Sequence, residues 1–203
     1  MNAESLEQIV YGTLTWDIRK LLNEAIEIAI ANGKRMEAEN PDATSRTISS
    51  YIHDEMCANA VRLLHKSPEL GRRVYVRRAR GTQILSIDNG KLVIRLKKMT
   101  RAGVTSNIVT QTVLKFEQMS LFDDEMVKLS VGYCYKHSGL DYEILISHPN
   151  GLHKVDWCRP LIRENENVEQ LVTGNRAQPA DGRRKRKIGP RKGAVKHAED
   201  DKS

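Results

Sequence analysis

The sequence has few aromatic residues and no long apolar run. Aromatic residues make up 5% and hydrophobic residues 39% of the 203 residues. No apolar stretch approaches the ~20 residues that a membrane-spanning helix needs, so we expect no membrane partner. The first ten residues lack the basic start and apolar centre of a signal peptide. The sequence therefore predicts a cytoplasmic protein.

Cysteine is also scarce, and its spacing fits neither a disulfide framework nor a zinc site. The three cysteines, Cys57, Cys134 and Cys158, are odd in number and far apart along the chain. Paired cysteines at short spacing, which bind zinc in many proteins, do not occur. We expect reduced thiols in or near the core, and no metal or cofactor.

The common catalytic motifs are missing as well. The chain has no GxSxG sequence, no P-loop, no HExxH sequence and no dinucleotide-binding glycine pattern. A nuclease strand with an acid two residues before its lysine is not present at Lys97, where Arg95 holds that position. The histidines are scattered, although some of them could meet Asp141 or Asp156 in space. These absences favour a non-enzymatic protein, with no catalytic residue assigned.

The net charge of +7 is unevenly distributed along the chain. Residues 66–101 carry eleven basic and two acidic side chains, and residues 176–203 carry ten and four. The two remaining segments, 1–65 and 102–175, each have six basic and ten acidic side chains. The basic character therefore comes from one internal stretch and a tail, both of which could contact nucleic acid.

Apolar periodicity predicts two helices in the first third of the chain. Apolar residues recur every three or four positions from Trp16 to about Ala31, where Asn32-Gly33 is expected to end the helix. A second helix is predicted from Thr44 or Ser45 to Ser67-Pro68. Two amphipathic helices of this length need a further surface to pack on.

From residue 74 the apolar period becomes two, which predicts strands. Thr82–Ile87 and Lys91–Lys97 flank Asp88-Asn89-Gly90, a hairpin signal because Asn-Gly accepts positive φ angles. A later meander of three antiparallel strands is predicted over Val127–Lys136, Glu143–His148 and His153–Cys158.

These elements predict an α+β fold in which N-terminal helices pack on an antiparallel sheet or meander. Residues 1–70 form the helical part, and residues 71–163 form the β part of the same domain. Residues 164–203 are predicted to be a linker and a disordered, basic C-terminal tail, because they are polar and contain few core-forming residues.

The pentapeptide Gln118-Met119-Ser120-Leu121-Phe122 resembles the bacterial sliding-clamp-binding motif, Gln-x-(Ser/Asp)-Leu-Phe. Polymerases, mismatch-repair proteins and clamp loaders carry such peptides, and clamp-binding toxins that inhibit replication are functional analogues. The resemblance implies that Leu121 and Phe122 fill an apolar pocket on the clamp, while Gln118 makes hydrogen bonds at its edge. Burial of each apolar side chain contributes ~1.5–3 kcal/mol, enough for a micromolar-class contact after the ordering costs.

A structural role for the same pentapeptide stays open at this point. Leu121 and Phe122 could instead enter the core of the sheet together with Met126 and Leu129. The acidic residues 123–125 favour a loop, where docking peptides are most accessible.

Residues 84–160 resemble a family of uncharacterised bacterial and phage proteins. The resemblance lies in Leu96-Lys97-Lys98, the segment Thr105–Gln111, Val131-Gly132-Tyr133 and the distal Trp157, with Val109 where that family usually has proline. It implies a small α+β domain, often encoded beside helix-turn-helix regulators, without assigned chemistry.

Taken together, the motif and the charge predict an interaction protein of a bacterium or phage. The expected partner is the DNA polymerase sliding clamp, and competition for its pocket would inhibit replication, as a toxin does. Two alternatives remain: a nucleic-acid-binding domain, and a toxin–antitoxin or regulatory partner, each with a structural pentapeptide. The candidate nucleic-acid contacts are Arg77, Arg78, Arg80, Arg95, Lys97, Lys98, Arg183, Arg184, Lys185, Arg186 and Lys187.

Overall fold

A computed structural model of the chain describes residues 3–79, 82–106, 126–136, 141–151 and 153–163. All of them lie in one compact unit, Met1–Glu166. Helices come first and strands follow, so the predicted α+β class is confirmed. The helices of the described part are α1 (Ala3–Thr13), α2 (Trp16–Glu39), α3 (Ser45–Lys66) and the short α4 (Pro68–Arg73).

Helix α2 is longer than its sequence predicts. It begins at Trp16 as expected, but it continues through Asn32-Gly33 to Glu39. Gly33 is buried against α3, where a Cβ atom would overlap the side chain of Ile52. The glycine therefore allows two helices to approach closely, and the prediction that it ends α2 is wrong.

Helix α3 has the predicted boundaries, and its two ends have clear local causes. Thr44 is the N-cap, and its hydroxyl accepts a hydrogen bond from the Thr47 amide at 3.2 Å. At the other end, Ser67 caps the helix and Pro68 occupies the first position of α4. Proline suits a first helical turn because its missing N–H would have no partner there.

The strands form a six-stranded sheet in chain order. Along the sheet, each strand lies beside the next one in sequence. Their bounds are β1 (Val74–Ala79), β2 (Thr82–Ile87), β3 (Leu92–Lys98), β4 (Val127–Tyr135), β5 (Tyr142–Pro149) and β6 (Val155–Pro160). The antiparallel pairings of β2 with β3, of β4 with β5, and of β5 with β6 agree with the predicted hairpin and meander.

The turn between β2 and β3 contains three consecutive residues with positive φ. These are Asp88 at 47°, Asn89 at 59° and Gly90 at 100°. Because aspartate, asparagine and glycine are the residues that best tolerate this region, the local sequence determines the turn.

The sheet is mixed rather than wholly antiparallel, because β3 and β4 run parallel. Leu92 lies opposite Val127 at one end of the pair, and Lys98 lies opposite Tyr133 at the other. A parallel pair needs a crossover of a dozen or more residues, and residues 99–126 separate these two strands. A Cβ atom at Gly132 would overlap the carbonyl group of Lys97, so a glycine is required where β3 and β4 meet.

The main core lies between the helices and one face of the sheet. Leu92, Ile94 and Leu96 of β3 pack into it with buried apolar residues of α1, α2 and α3. The alternate residue Val93 belongs to a second, small cluster with Ile84. Strand β3 is therefore buried on both faces, so its basic residues are buried or half-buried.

Candidate functional site

The pentapeptide Gln118–Phe122 lies outside the described residues, in the connection between β3 and β4. Residues on either side of it are described. The Ser106 amide donates a hydrogen bond to the Lys98 carbonyl at 2.9 Å, at the end of β3. The Val127 amide donates one to the Lys91 carbonyl, also at 2.9 Å, just before β3 begins. The connection therefore starts at one end of β3 and returns to the other.

Met126 and Leu129, which would join Leu121 and Phe122 in the core if the pentapeptide is structural, lie among the described residues. Leu129 is fully buried in the main core. Met126 is half-buried and packs on the second cluster, against Ile84 and Val93. Leu121 and Phe122 themselves lie outside the described residues, so both roles of the pentapeptide remain predictions.

The basic stretch divides into exposed, half-buried and buried side chains. Arg77 is exposed on β1, two residues from Tyr75, whose side chain is 48% exposed. Positions i and i+2 of a strand share a face, so the aromatic ring and the guanidinium lie on one side of this edge strand. A ring beside a cation is a surface that nucleic-acid-binding proteins use.

Arg95 does not belong to such a surface. It is 3% exposed in the middle of β3, and its burial follows from the position of β3 inside the sheet. The prediction that Arg95 projects from a solvated or nucleic-acid-binding face is wrong for this fold. Sequence alternation indicated which face the side chain is on, but not that this face is covered.

The two lysines that follow are half-buried. Lys98 Nζ lies 3.4 Å from Ser49 Oγ and 5.7 Å from the centre of the Tyr135 ring, so contacts with α3 and β4 already use its charge. Burial and the nearby Arg95 charge lower the pKa of Lys97. The side chain of Arg78, together with Arg80 and the tail residues 183–187, lies outside the described part.

Arg73, close to the β2–β3 turn, makes its hydrogen bonds to other parts of the protein. Arg73 donates from Nε to Asp88 Oδ1 at 2.8 Å, and its Nη2 donates to Asp88 Oδ2 and to the Thr13 carbonyl. This fork holds the β2–β3 turn against the end of α1. The Arg73 hydrogen bonds lower the pKa of Asp88.

One histidine does meet an aspartate in space, as the sequence allowed. His148 Nδ1 lies 2.8 Å from Asp156 Oδ2, and Asn150 donates to the other carboxylate oxygen at 2.6 Å. The imidazole is stacked on Trp157 with ring centres 6.3 Å apart. The residues come from β5, β6 and the turn between them, and their pairing follows from the antiparallel register. The arrangement fixes the orientation of the imidazole and the closure of this hairpin.

The three thiols are free, as predicted, and full burial of Cys57 and Cys134 and partial burial of Cys158 raise the pKa of each. For Cys57 the pKa rises to about 11. In the described ranges, no group of three or more histidine, cysteine, aspartate or glutamate side chains is placed to hold a metal ion. None of the described helices is long and apolar enough to cross a membrane.

Comparison with known proteins found no family model, curated protein or solved structure that is significantly similar to this chain.

Proposed function

We propose that this protein docks on the bacterial DNA sliding clamp through Gln118–Phe122. The observation that carries the proposal is the pentapeptide itself, which satisfies every specified position of the clamp-binding pattern. Its place in the connection between two buried strands supports the proposal, because docking peptides are commonly presented by segments that a rigid scaffold holds at both ends.

Two large apolar anchors supply the expected affinity. Leu121 and Phe122 would each contribute ~1.5–3 kcal/mol by leaving water for the clamp pocket. Gln118 fixes the direction of the peptide through its amide group, which both donates and accepts hydrogen bonds. Occupation of the pocket excludes other proteins that use it, so docking inhibits replication when this protein is abundant.

The test is binding of the full-length chain to purified sliding clamp by surface plasmon resonance. The double variant Leu121→Ala/Phe122→Ala is expected to lose at least about tenfold in affinity, since two anchor side chains are removed. Met119→Ala is the matched control, because the motif accepts any residue at that position, and its affinity should stay within about twofold of wild type. Retained binding by the double variant contradicts the proposal.

A synthetic peptide of residues 116–125 tests the motif independently of folding. It is expected to bind the clamp and to displace the full-length protein, whereas the peptide carrying both alanines should not. Failure of the intact peptide to bind would contradict the docking role. This result does not depend on whether the double variant of the protein folds.

Nucleic-acid binding is the second candidate function. The exposed pair Tyr75 and Arg77 on edge strand β1 favours it, and Arg72 is exposed just before that strand. Arg77→Ala should then weaken binding of single-stranded DNA without altering clamp binding, which separates the two functions in one pair of measurements.

A further inference from the structure

Strand β1 lies at one edge of the sheet, and β2 is its only neighbouring strand among the described residues. The six residues of β1 pair with β2 in continuous register, from Val74 opposite Ile87 to Ala79 opposite Thr82. The strand contains no proline, no glycine and no bulge. A regular edge strand presents a row of unpaired N–H and C=O groups that another extended segment can pair with.

The backbone groups of Val76 and Arg78 point away from β2. The Val74 amide donates its hydrogen bond to the Leu70 carbonyl of α4 rather than to β2. In an antiparallel pair, the backbone groups of a strand face its neighbour at every second residue. The N–H and C=O groups of Val76 and Arg78 therefore lie on the outer edge, as the Val74 amide does. Among the described residues, none forms a hydrogen bond with these outer groups.

The exposed side chains of β1 leave positive charge without a partner at this edge. Tyr75 is 48% exposed and Arg77 is exposed, both on the face opposite the main core, into which Val74 packs. Arg77 forms no ion pair within 4 Å in the described part of the chain. The strand has no acidic residue, and the exposed Arg72 precedes it. The edge therefore combines an unpaired backbone with uncompensated positive charge.

The opposite edge of the sheet, β6, is protected in ways that β1 is not. It ends at Pro160, which has no N–H group, and its register with β5 shifts between His148 and Pro149. The charge of Arg159 is already paired with Glu7 at 3.6 Å. Prolines and bulges are devices that prevent an edge strand from pairing with another chain. Of the two edges, β1 is thus the one that can accept a further strand.

We propose that β1 binds an extended, acidic peptide segment of a partner protein, which joins the sheet as an additional antiparallel strand. The peptide backbone pairs with the outer groups of Val76 and Arg78, as in other cases of strand addition. The peptide residue opposite Arg77 carries a carboxylate, since directly opposite side chains have Cβ atoms about 5 Å apart. The residue two positions further lies opposite Tyr75 and packs on its ring.

A second copy of this chain fits the edge less well than an acidic segment does. Self-pairing about Val76 would place Tyr75 of each copy opposite Arg77 of the other. It would also bring the exposed arginines of both copies together, with no acidic residue in either strand to compensate their charge. The charges that oppose self-pairing attract an acidic partner.

The probe is a labelled peptide of about eight residues in which glutamate alternates with valine. Alternation places all carboxylates on one face and all valine N–H groups along one edge. In the proposed complex the glutamates lie opposite Tyr75 and Arg77, and the valine N–H groups face β1. We expect saturable binding to the full-length protein by fluorescence anisotropy at pH 7. The peptide with lysine in place of glutamate should not bind, and absence of binding by the glutamate peptide would contradict the proposal.

N-methylation of the peptide tests backbone pairing without changing its charge. Methylation of the valine nitrogens removes the N–H groups that face β1 and should weaken binding at least about tenfold, since two hydrogen bonds are lost. Methylation of the glutamate nitrogens alters the outer edge only and should leave binding nearly unchanged. Both peptides have the same charge, so any attraction to the basic residues 176–203 is equal for the two. Equal binding of the two methylated peptides would overturn the proposal.

Val76→Pro locates the site on the protein. It removes the outer N–H group and leaves the hydrogen bonds between β1 and β2 intact, a position where an edge strand accepts proline. It should weaken binding of the glutamate peptide at least about tenfold. Val76→Ala is the matched control, because it also removes the valine side chain but keeps the N–H group, and it should bind as wild type does. Equal binding by the two variants means that β1 is not the site. Should Val76→Pro fail to fold, the methylated peptides decide the question with the wild-type protein.

Charge reversal tests the choice of an acidic partner. Arg77→Glu should weaken binding of the glutamate peptide and allow the lysine peptide to bind, because the charge opposite the peptide is inverted. If Arg77→Glu leaves the preference unchanged, the charge of Arg77 does not select the partner and the proposal is wrong.

Two other occupants of this edge give different results. Dimerisation of the wild type that Val76→Pro abolishes would identify a second copy. Binding of single-stranded DNA that requires Arg77 but survives Val76→Pro, without binding of the glutamate peptide, would identify nucleic acid. Either result overturns the proposal. The peptides do not contain the clamp-binding pattern, so this proposal and clamp docking can fail separately.

Discussion

At the scale of single residues, basic side chains that are close in sequence have different roles. Arg73 is hydrogen-bonded to Asp88, Arg77 is exposed on an edge strand, and Arg95 is buried in β3. Their charges are identical, so the difference comes from the place of each residue in the fold. A basic stretch in a sequence is therefore not by itself a binding surface.

The Arg73–Asp88 pair makes stability depend on pH. The pKa of Asp88 is lowered in the folded protein, so its contribution is complete above the ordinary value of 3.8 and is lost as the pH falls through the lower, folded value. Asp88→Asn should cost about 1 kcal/mol at pH 7, as a partly exposed, charge-assisted pair does. Asparagine tolerates the positive φ of this turn, so the substitution isolates the charge.

Urea unfolding of the wild type and of Asp88→Asn, measured between pH 7 and pH 2, checks this expectation. The difference in the free energy of unfolding should be constant down to about pH 5 and should then shrink toward zero. Asp42→Asn, at an exposed position between α2 and α3, is the control and should show no comparable difference. A difference for Asp88→Asn that grows as the pH falls would contradict the assignment.

At the scale of elements, the close packing of α2 on α3 depends on a glycine that sequence rules place at a helix end. Asn-Gly after an apolar stripe is a common stop signal. Here Gly33 faces Ile52 of α3, and the helix continues for six more residues, to Glu39. The gain from packing outweighs the roughly 1 kcal/mol by which glycine weakens a helix relative to alanine.

We predict that Gly33→Ala lowers the free energy of unfolding by about 1–3 kcal/mol, since the added methyl overlaps Ile52 Cγ1. The overlap is relieved in the Ile52→Ala background, where the same change should be neutral or stabilising. Chemical denaturation of the four proteins of this double-mutant cycle measures the coupling.

Gly12→Ala, in α1, is the control for helix propensity. No atom lies within 4 Å of its added Cβ, so it should stabilise the protein by up to about 1 kcal/mol. If Gly33→Ala behaves in the same way as Gly12→Ala, close packing is not the reason for the glycine.

At the scale of the whole molecule, the net charge does not describe the folded surface. Ten of the 33 basic residues lie in residues 176–203, outside the described part. Arg73 is hydrogen-bonded to Asp88, and Arg95 is buried in β3. The attraction of this protein for DNA is therefore expected to depend strongly on residues 176–203.

Deletion of residues 176–203 should weaken DNA binding and reduce its salt dependence. The slope of log K against log salt falls by about 0.7–0.9 for each phosphate contact that is lost. Fluorescence anisotropy with a labelled duplex between low and moderate salt measures both quantities, and the unchanged affinity for the clamp serves as the control. An unchanged slope would assign DNA contacts to residues 1–175 instead, and no binding by the full chain at low salt would remove nucleic acid as a partner.

The sequence alone determined the features that depend on neighbouring residues. The change of apolar period from 3.6 to 2 predicted the α+β class, Thr44 and Pro68 marked the ends of α3, and Asp88-Asn89-Gly90 marked the β2–β3 turn. These signals are reliable because backbone sterics and local hydrogen bonds act within a few residues. The pentapeptide is likewise a property of the sequence.

Only the tertiary structure decided the features that depend on distant parts of the chain. The parallel pairing of β3 with β4, the burial of Arg95, the extension of α2 through Gly33 and the place of β1 at the edge of the sheet all arise from contacts between separate elements. Periodicity assigns a side chain to a face, but whether that face is covered depends on which elements pack there. The partner of the pentapeptide does not follow from the fold, and the measurement of clamp binding tests it.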